Sequence, residues 1–149
     1  MDRSKLQVKD WMTTDPITVP ISATLAKAHD VMVMNGVRRL PVVDDTDSLI
    51  GIITRSDIYQ IFPFTTDETE RTEAEQTLGK MPMDEAMTWE PVTIAPDRTI
   101  RAAAELMLEY QISGLPVEEG DKLIGIITET DIFRLVVESW DELDAEVND

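Results

Sequence analysis

The sequence predicts an α/β (α+β) chain made of two tandem repeats, each running strand-helix-strand-strand-helix. Three observations carry this. The hexapeptide Leu49-Ile50-Gly51-Ile52-Ile53-Thr54 returns letter for letter as Leu123-Ile124-Gly125-Ile126-Ile127-Thr128, and each copy is followed, past two residues, by Asp57-Ile58 or Asp131-Ile132. Met12, Pro16, Thr18, Thr24, Met32, Leu40, Pro41 and Val42 fall in order on Met87, Pro91, Thr93, Thr99, Met107, Leu115, Pro116 and Val117. The alignment then slips by one residue between Val117 and Leu123, where a loop belongs. Hydrophobic spacing changes from strand-like to helix-like at matching places in both halves, as expected of a repeated supersecondary unit. The halves span 6–62 and 81–137, with 63–80 as linker and 138–149 as acidic tail.

Each half opens on a short strand, Pro16-Ile17-Thr18-Val19 or Pro91-Val92-Thr93-Ile94, whose proline suits an edge or a first strand position. Thr24 and Thr99 then stand as N-caps. Leu25, Ala28, Val31 and Met32, like Ile100, Ala103, Leu106 and Met107, recur at helical spacing and predict one apolar stripe per helix. Gly36 supplies the stop of the first helix, while Gln111 stands at that place in the second, which is expected to end differently. Leu40-Pro41-Val42-Val43 and Leu49 to Ile53 are two strands joined by the polar turn Asp44 to Ser48. Leu115-Pro116-Val117 and Leu123 to Ile127 repeat them. Closing helices begin near Asp57 and Asp131, the second running through Phe133, Val136, Val137 and Trp140. Thr65 to Thr77 is acidic and threonine-rich without periodicity, and predicts a linker or flexible loop. The tail is expected to fray.

At 149 residues, 42% hydrophobic and 29% charged, the chain has the composition of one ordinary folded domain. No apolar run approaches the roughly 20 residues that span a bilayer, and the start has no signal-peptide core. With no cysteine there is neither disulfide nor thiolate chemistry, which fits a cytoplasmic location. A net charge of −17 argues against nucleic acid or an anionic membrane as partner, since both need counter-charge. A phosphate site would have to be a local exception. One place for it is the end of each hexapeptide, where Thr54 with Asp57, and Thr128 with Asp131, meet the free N–H groups of a helix start. A ligand with both hydroxyls and phosphate suits that setting, and a phosphorylated nucleoside is the natural candidate. The plain alternative for both aspartates is a carboxylate stabilising a helix N-terminus.

The motifs Met12-x3-Pro16-x-Thr18, Leu40-Pro41-Val42-Val43-Asp44 and Gly51-x2-Thr54-x2-Asp57, repeated in order, resemble a tandem pair of cystathionine β-synthase (CBS) domains, called a Bateman module. The resemblance covers about 6–137 and looks like the small stand-alone CBS-pair proteins. It implies two repeats related by a pseudo-twofold axis, clefts between them for AMP, ADP, ATP or S-adenosylmethionine, and a homodimer of modules. Residue by residue, it implies that Asp57 and Asp131 accept from ribose hydroxyls and that Thr54 and Thr128 hold ribose or phosphate. Backbone groups at Ile17, Thr18, Val92 and Thr93 would meet the adenine edge, and Pro41, Val42, Pro116 and Val117 would form apolar walls. Arg38 and Arg39 precede Leu40, where phosphate-binding members often carry bases, and arginine's fork of donors suits phosphate oxygens. Ser113 and Gly114 stand there in the second half, where an uncharged adenosyl ligand or none is equally expected. Phosphates could bring magnesium as a bridge, and no intrinsic cofactor or protein-only metal site is visible.

No GxSxG, HExxH or Walker A pattern is present, which argues against catalysis; the duplicated Gly-x2-Thr-x2-Asp motif, the pair Arg38 and Arg39 and the resemblance together read as a non-catalytic sensor that signals to a regulated partner. The alternative is a dimerisation scaffold with vestigial clefts. His29, whose counterpart is Ala104, reads as a surface histidine. The methionines read as gap-filling residues, and Trp11, Trp89 and Trp140 as covers for sheet ends or a dimer seam.

Overall fold

The computed structural model describes residues 6–142 and 144, so residues 143 and 145–149 of the acidic tail lie outside the described residues. In chain order the elements are α1 (Val8–Trp11), β1 (Thr13–Thr14), β2 (Val19–Pro20), α2 (Leu25–Asn35), β3 (Arg39–Val43), β4 (Leu49–Thr54), α3 (Arg55–Ile61) and α4 (Glu68–Leu78). A 3-10 turn (Met83–Glu85), β5 (Thr88–Trp89), α5 (Ile100–Tyr110), β6 (Gly114–Glu119), β7 (Lys122–Thr128) and α6 (Glu129–Glu138) follow. This is the mixed α/β repeat architecture the periodicities predict. Packing, however, divides the chain differently from the repeats. A middle unit holds Ile17–Pro91, and a terminal unit joins the residues before Ile17 to those after Pro91.

The middle unit carries a four-stranded sheet in the order β2-β3-β4-β5. Leu40 pairs with Ile53 and Val42 with Gly51 across antiparallel β3 and β4. Strand residues alternate faces, so these four point one way, onto the stripe of α2 formed by Leu25, Ala28 and Met32. The terminal unit has a three-stranded sheet, β1-β7-β6, in which Leu115 pairs with Ile127 and Val117 with Gly125. Ile100, Ala103 and Met107 of α5 close its core, joined by Val8 of α1.

Two short strands that the sequence does not announce define these units. β1, from the start of the first repeat, pairs with β7 of the second, Thr14 opposite Gly125. β5, from the start of the second repeat, pairs with β4 of the first, Trp89 opposite Gly51. Each repeat thus lends its opening residues to the other's sheet. The recurring Met and Gly explain how. A Cβ on Gly51 would lie 3.0 Å from Met87 Sδ and 2.9 Å from Thr88 O, and one on Gly125 2.7 Å from Met12 Sδ and 2.8 Å from Thr13 O.

The opening strands shrink to β2 and to a single parallel bridge, Ile94 with Val117. The 63–80 linker holds α4, an eleven-residue helix that Asp67 caps by accepting from Glu70 N at 2.9 Å. Asp44 Oδ1 organises its turn by accepting from Thr46 Oγ1 at 2.7 Å and from the backbone N–H groups of Thr46 and Ser48. The Thr46 hydroxyl, then these backbone donors, hold its carboxyl below the usual range.

Thr24 and Thr99 cap α2 and α5 as expected, accepting from Lys27 N and Ala102 N. The expected difference at the other end is absent: Gly36 has φ 64° and Gln111 has φ 55°, both left-handed. The chain must reverse into the next strand at both places, and Gln111 bears a conformation that a Cβ disfavours. Gln111→Gly is therefore expected to raise stability by about 0.5–1 kcal/mol, read as a higher urea midpoint at unchanged slope. No gain would mean that the Gln111 side chain offsets the strain.

Candidate functional site

In the middle unit Thr54 ends β4 and caps α3. Its Oγ1 accepts from Asp57 N at 3.0 Å, while its own N–H donates to Asp57 Oδ2 at 2.9 Å. This reciprocal arrangement is a capping box. It uses one carboxylate oxygen, and Asp57 Oδ1 has no hydrogen-bond partner among the described residues. Arg39 stands directly across from Thr54, and Pro41 from Ile52, on the sheet face opposite Leu40 and Ile53. Parallel pairing of Val19 with Val42 sets Thr18 beside Pro41 one step back, with Ile17 preceding it. The register thus gathers Thr18, Arg39, Pro41, Thr54 and Asp57 on one face and end of one sheet. Arg38 is exposed, and its carbonyl accepts from Arg55 N at 2.8 Å.

The terminal unit repeats the frame with different chemistry. Thr128 N donates to Asp131 Oδ2 at 2.8 Å and its hydroxyl leans on the same oxygen at 3.3 Å. Arg134 Nη1 takes Oδ1 at 3.2 Å, so both oxygens of this buried carboxylate are engaged. Arg134 is the residue that sequence reasoning missed, although its position three after Asp131 on a helix is the spacing at which such pairs form. Gly114 stands across from Thr128, where the middle unit has Arg39. Ile94 N donates to Pro116 O at 3.1 Å, and Glu118 N to Ile94 O at 3.0 Å, which sets Val92 and Thr93 alongside β6. Ser113 is half-buried, and its carbonyl accepts from Glu129 N at 3.0 Å.

The wall assignment needs correction for two residues. Val42 and Val117 have no exposed surface and belong to the two cores, because they share a sheet face with Leu40 and Leu115. Ile52 and Ile126, across from Pro41 and Pro116, are half-buried on the opposite face and were not singled out. His29, read as a surface histidine, is half-buried, and its Nε2 lies 3.4 Å from Tyr59 Oη.

A groove of about 590 Å³ opens in the terminal unit between α5 and the start of α6. Of the candidate residues only Ser113 borders it. No helix among the described residues is long and apolar enough to cross a membrane.

Fold and site together define a duplicated α/β module whose closing helices each start from a Thr–Asp capping box at a strand end. The chain belongs to the CBS domain family, which matches residues 8–63 and again 83–138, and it is a tandem CBS pair, or Bateman module. A CBS domain-containing protein of Dictyostelium discoideum is 33% identical over 136 residues, covering 89% of this chain and 92% of its own length. The solved CBS domain pair of protein MJ0100, in complex with 5′-methylthioadenosine and S-adenosyl-L-methionine, is 29% identical with a TM-score of 0.74 over 89% of this chain and 97% of that one. CBSX2 in complex with AMP is 29% identical with a TM-score of 0.73 over the same shares. Other curated relatives are enzymes of which this chain spans a quarter of the length or less.

Proposed function

We propose that this chain is a non-catalytic sensor that binds an adenosine-containing ligand (AMP, ADP, ATP or S-adenosylmethionine) at its Thr–Asp strand ends and pairs with a second copy to signal to a partner protein. The observation that carries this is the spare oxygen of Asp57, beside the Thr54 hydroxyl and across the strand pair from Arg39. An acceptor, a hydroxyl and an arginine paired across the strands from that hydroxyl suit ribose hydroxyls followed by phosphate. The similar pairs solved with AMP and with S-adenosylmethionine support the adenosyl class. The middle-unit residues favour the phosphorylated ligand. In the terminal unit Asp131 is taken by Arg134, and an uncharged adenosyl group or no ligand fits equally.

Calorimetric titration with AMP, ADP, ATP and S-adenosylmethionine, with and without magnesium, tests the proposal. Asp57→Ala is expected to weaken the tightest ligand at least tenfold, the loss of a charge-assisted hydrogen bond, with thermal melting to confirm that the variant is folded. Capping alone accounts for the Thr–Asp pairs without any ligand, and this favours the scaffold as second reading. Absence of binding at millimolar concentration for all four would leave that reading standing.

A further inference from the structure

The two Thr–Asp pairs have the same spacing, yet their carboxylates are not equally open. Asp57 is half-buried with Oδ1 unengaged, whereas the Asp131 side chain is only 5% exposed. A difference in sequence stands three residues on, where a helix brings a side chain onto the same strip of surface. In the terminal unit that residue is Arg134, whose Nη1 donates to Asp131 Oδ1 at 3.2 Å. In the middle unit it is Gln60, exposed and uncharged. The arginine is not needed to start the helix. Thr128 N already donates to Asp131 Oδ2 at 2.8 Å, and the middle unit starts α3 on the same bond without an arginine. Nor is the guanidinium locked in place. The Arg134 side chain is 52% exposed, so leaving Asp131 costs it little. Exposed Glu138, four residues along α6, offers a second carboxylate at ion-pair spacing.

We infer that Arg134 is a specificity-determining residue that closes the terminal strand end: it holds the Asp131 oxygen that a ribose hydroxyl would need. Ligand then enters at Asp57 freely and at Asp131 only when Arg134 lets go. This rests on the ligand reading proposed above and decides between its two ends. A neutral hydroxyl that displaces Arg134 exchanges a charge-assisted hydrogen bond for a weaker one. With the Asp131 side chain buried, its remaining lone pairs offer no easier approach. Because the bond from Thr128 N stays in place, opening this end leaves α6 intact.

Two measurements test this, the first without ligand. Carboxyl labelling with a carbodiimide and glycine ethyl ester, read by peptide mass spectrometry, is expected to modify Asp57 faster than Asp131. Arg134→Gln should raise Asp131 toward the rate of Asp57, while Arg134→Lys, which keeps the cation, should leave it slow. Equal rates in the unaltered chain, or no rise in Arg134→Gln, would overturn the closure. The second is calorimetry with AMP and with S-adenosylmethionine in Asp57→Ala, where only the terminal end keeps its aspartate. Adding Arg134→Gln there is expected to tighten the better ligand about tenfold, through removal of a competing charge-assisted hydrogen bond. Adding Asp131→Ala as well should cancel that gain. Unchanged or weaker binding of both ligands after Arg134→Gln, with binding intact in the unaltered chain, would overturn the inference and leave the proposed function standing. No binding by any chain, the unaltered one included, would overturn the proposed function and this inference with it.

Discussion

Ile127→Ala is expected to cost about 2–5 kcal/mol, and Ile53→Ala the same, while loosening different parts of the chain. Both isoleucines have no exposed surface, and each faces a fully buried leucine across its hairpin, Leu115 or Leu40. Their local sequences are identical, so the removed atoms and their transfer free energy are the same in both variants. What differs is the unit in which the cavity forms. Val8 and Lys9 belong to the first sequence repeat, yet they donate their N–H groups to Arg98 O and Pro96 O at 2.8 and 2.9 Å, and Val8 is buried with Leu115 and Ile127. Hydrogen exchange should therefore show the amides of Val8 and Lys9 losing protection in Ile127→Ala and keeping it in Ile53→Ala. Trp89 should follow Ile53→Ala, since β5 lies on β4. If the α1 amides respond instead to Ile53→Ala, the packed units coincide with the repeats and the exchange of opening strands is wrong.

The sequence makes the repeat, the two hairpins and the capped helices legible, because each rests on a local rule repeated in two places. It hides the strand exchange, since a two-residue strand has no period to detect. The Met12–Gly125 and Met87–Gly51 contacts are visible only as recurring letters until the fold shows that each joins one repeat to the other's sheet. The α4 helix is hidden for a different reason. Leu78 is its one buried residue, and Thr72 and Thr77 bond back to Glu68 O and Glu73 O, so cap and helix formers hold it without an apolar stripe. Of the candidate site, the Thr–Asp spacing carries the capping geometry directly. The engagement of Asp131 by Arg134 is the part that spacing alone could have added. The core role of Val42 and Val117 follows only from knowing which sheet face holds Leu40 and Leu115.

Gly125→Val should destabilise the terminal unit by about 3 kcal/mol, at the upper end of overpacking costs, and Gly125→Ala by somewhat less. A Cβ at this position meets atoms of two kinds, side chain and backbone. Met12 Sδ and Cγ, at 2.7 and 3.1 Å, belong to a flexible side chain that can turn about its χ angles, but Thr13 O, at 2.8 Å, is backbone and cannot move without β1 moving. Since Thr13 and Thr14 pair with Ile126 and Gly125, a displaced β1 gives up its place in the sheet and draws Met12 and α1 with it. The two sources of crowding separate in a double variant. If the thioether is the obstacle, Met12→Ala restores the stability lost in Gly125→Ala. The backbone contact predicts no such rescue, with the urea midpoint of the double variant at or below that of Gly125→Ala alone. Gly51→Ala repeats the experiment in the middle unit, where Thr88 O at 2.9 Å is again backbone. Comparable losses at both glycines would show that the hexapeptide keeps its glycine for the close approach of a borrowed strand, whereas tolerance at either position would show that strand to be free to give way.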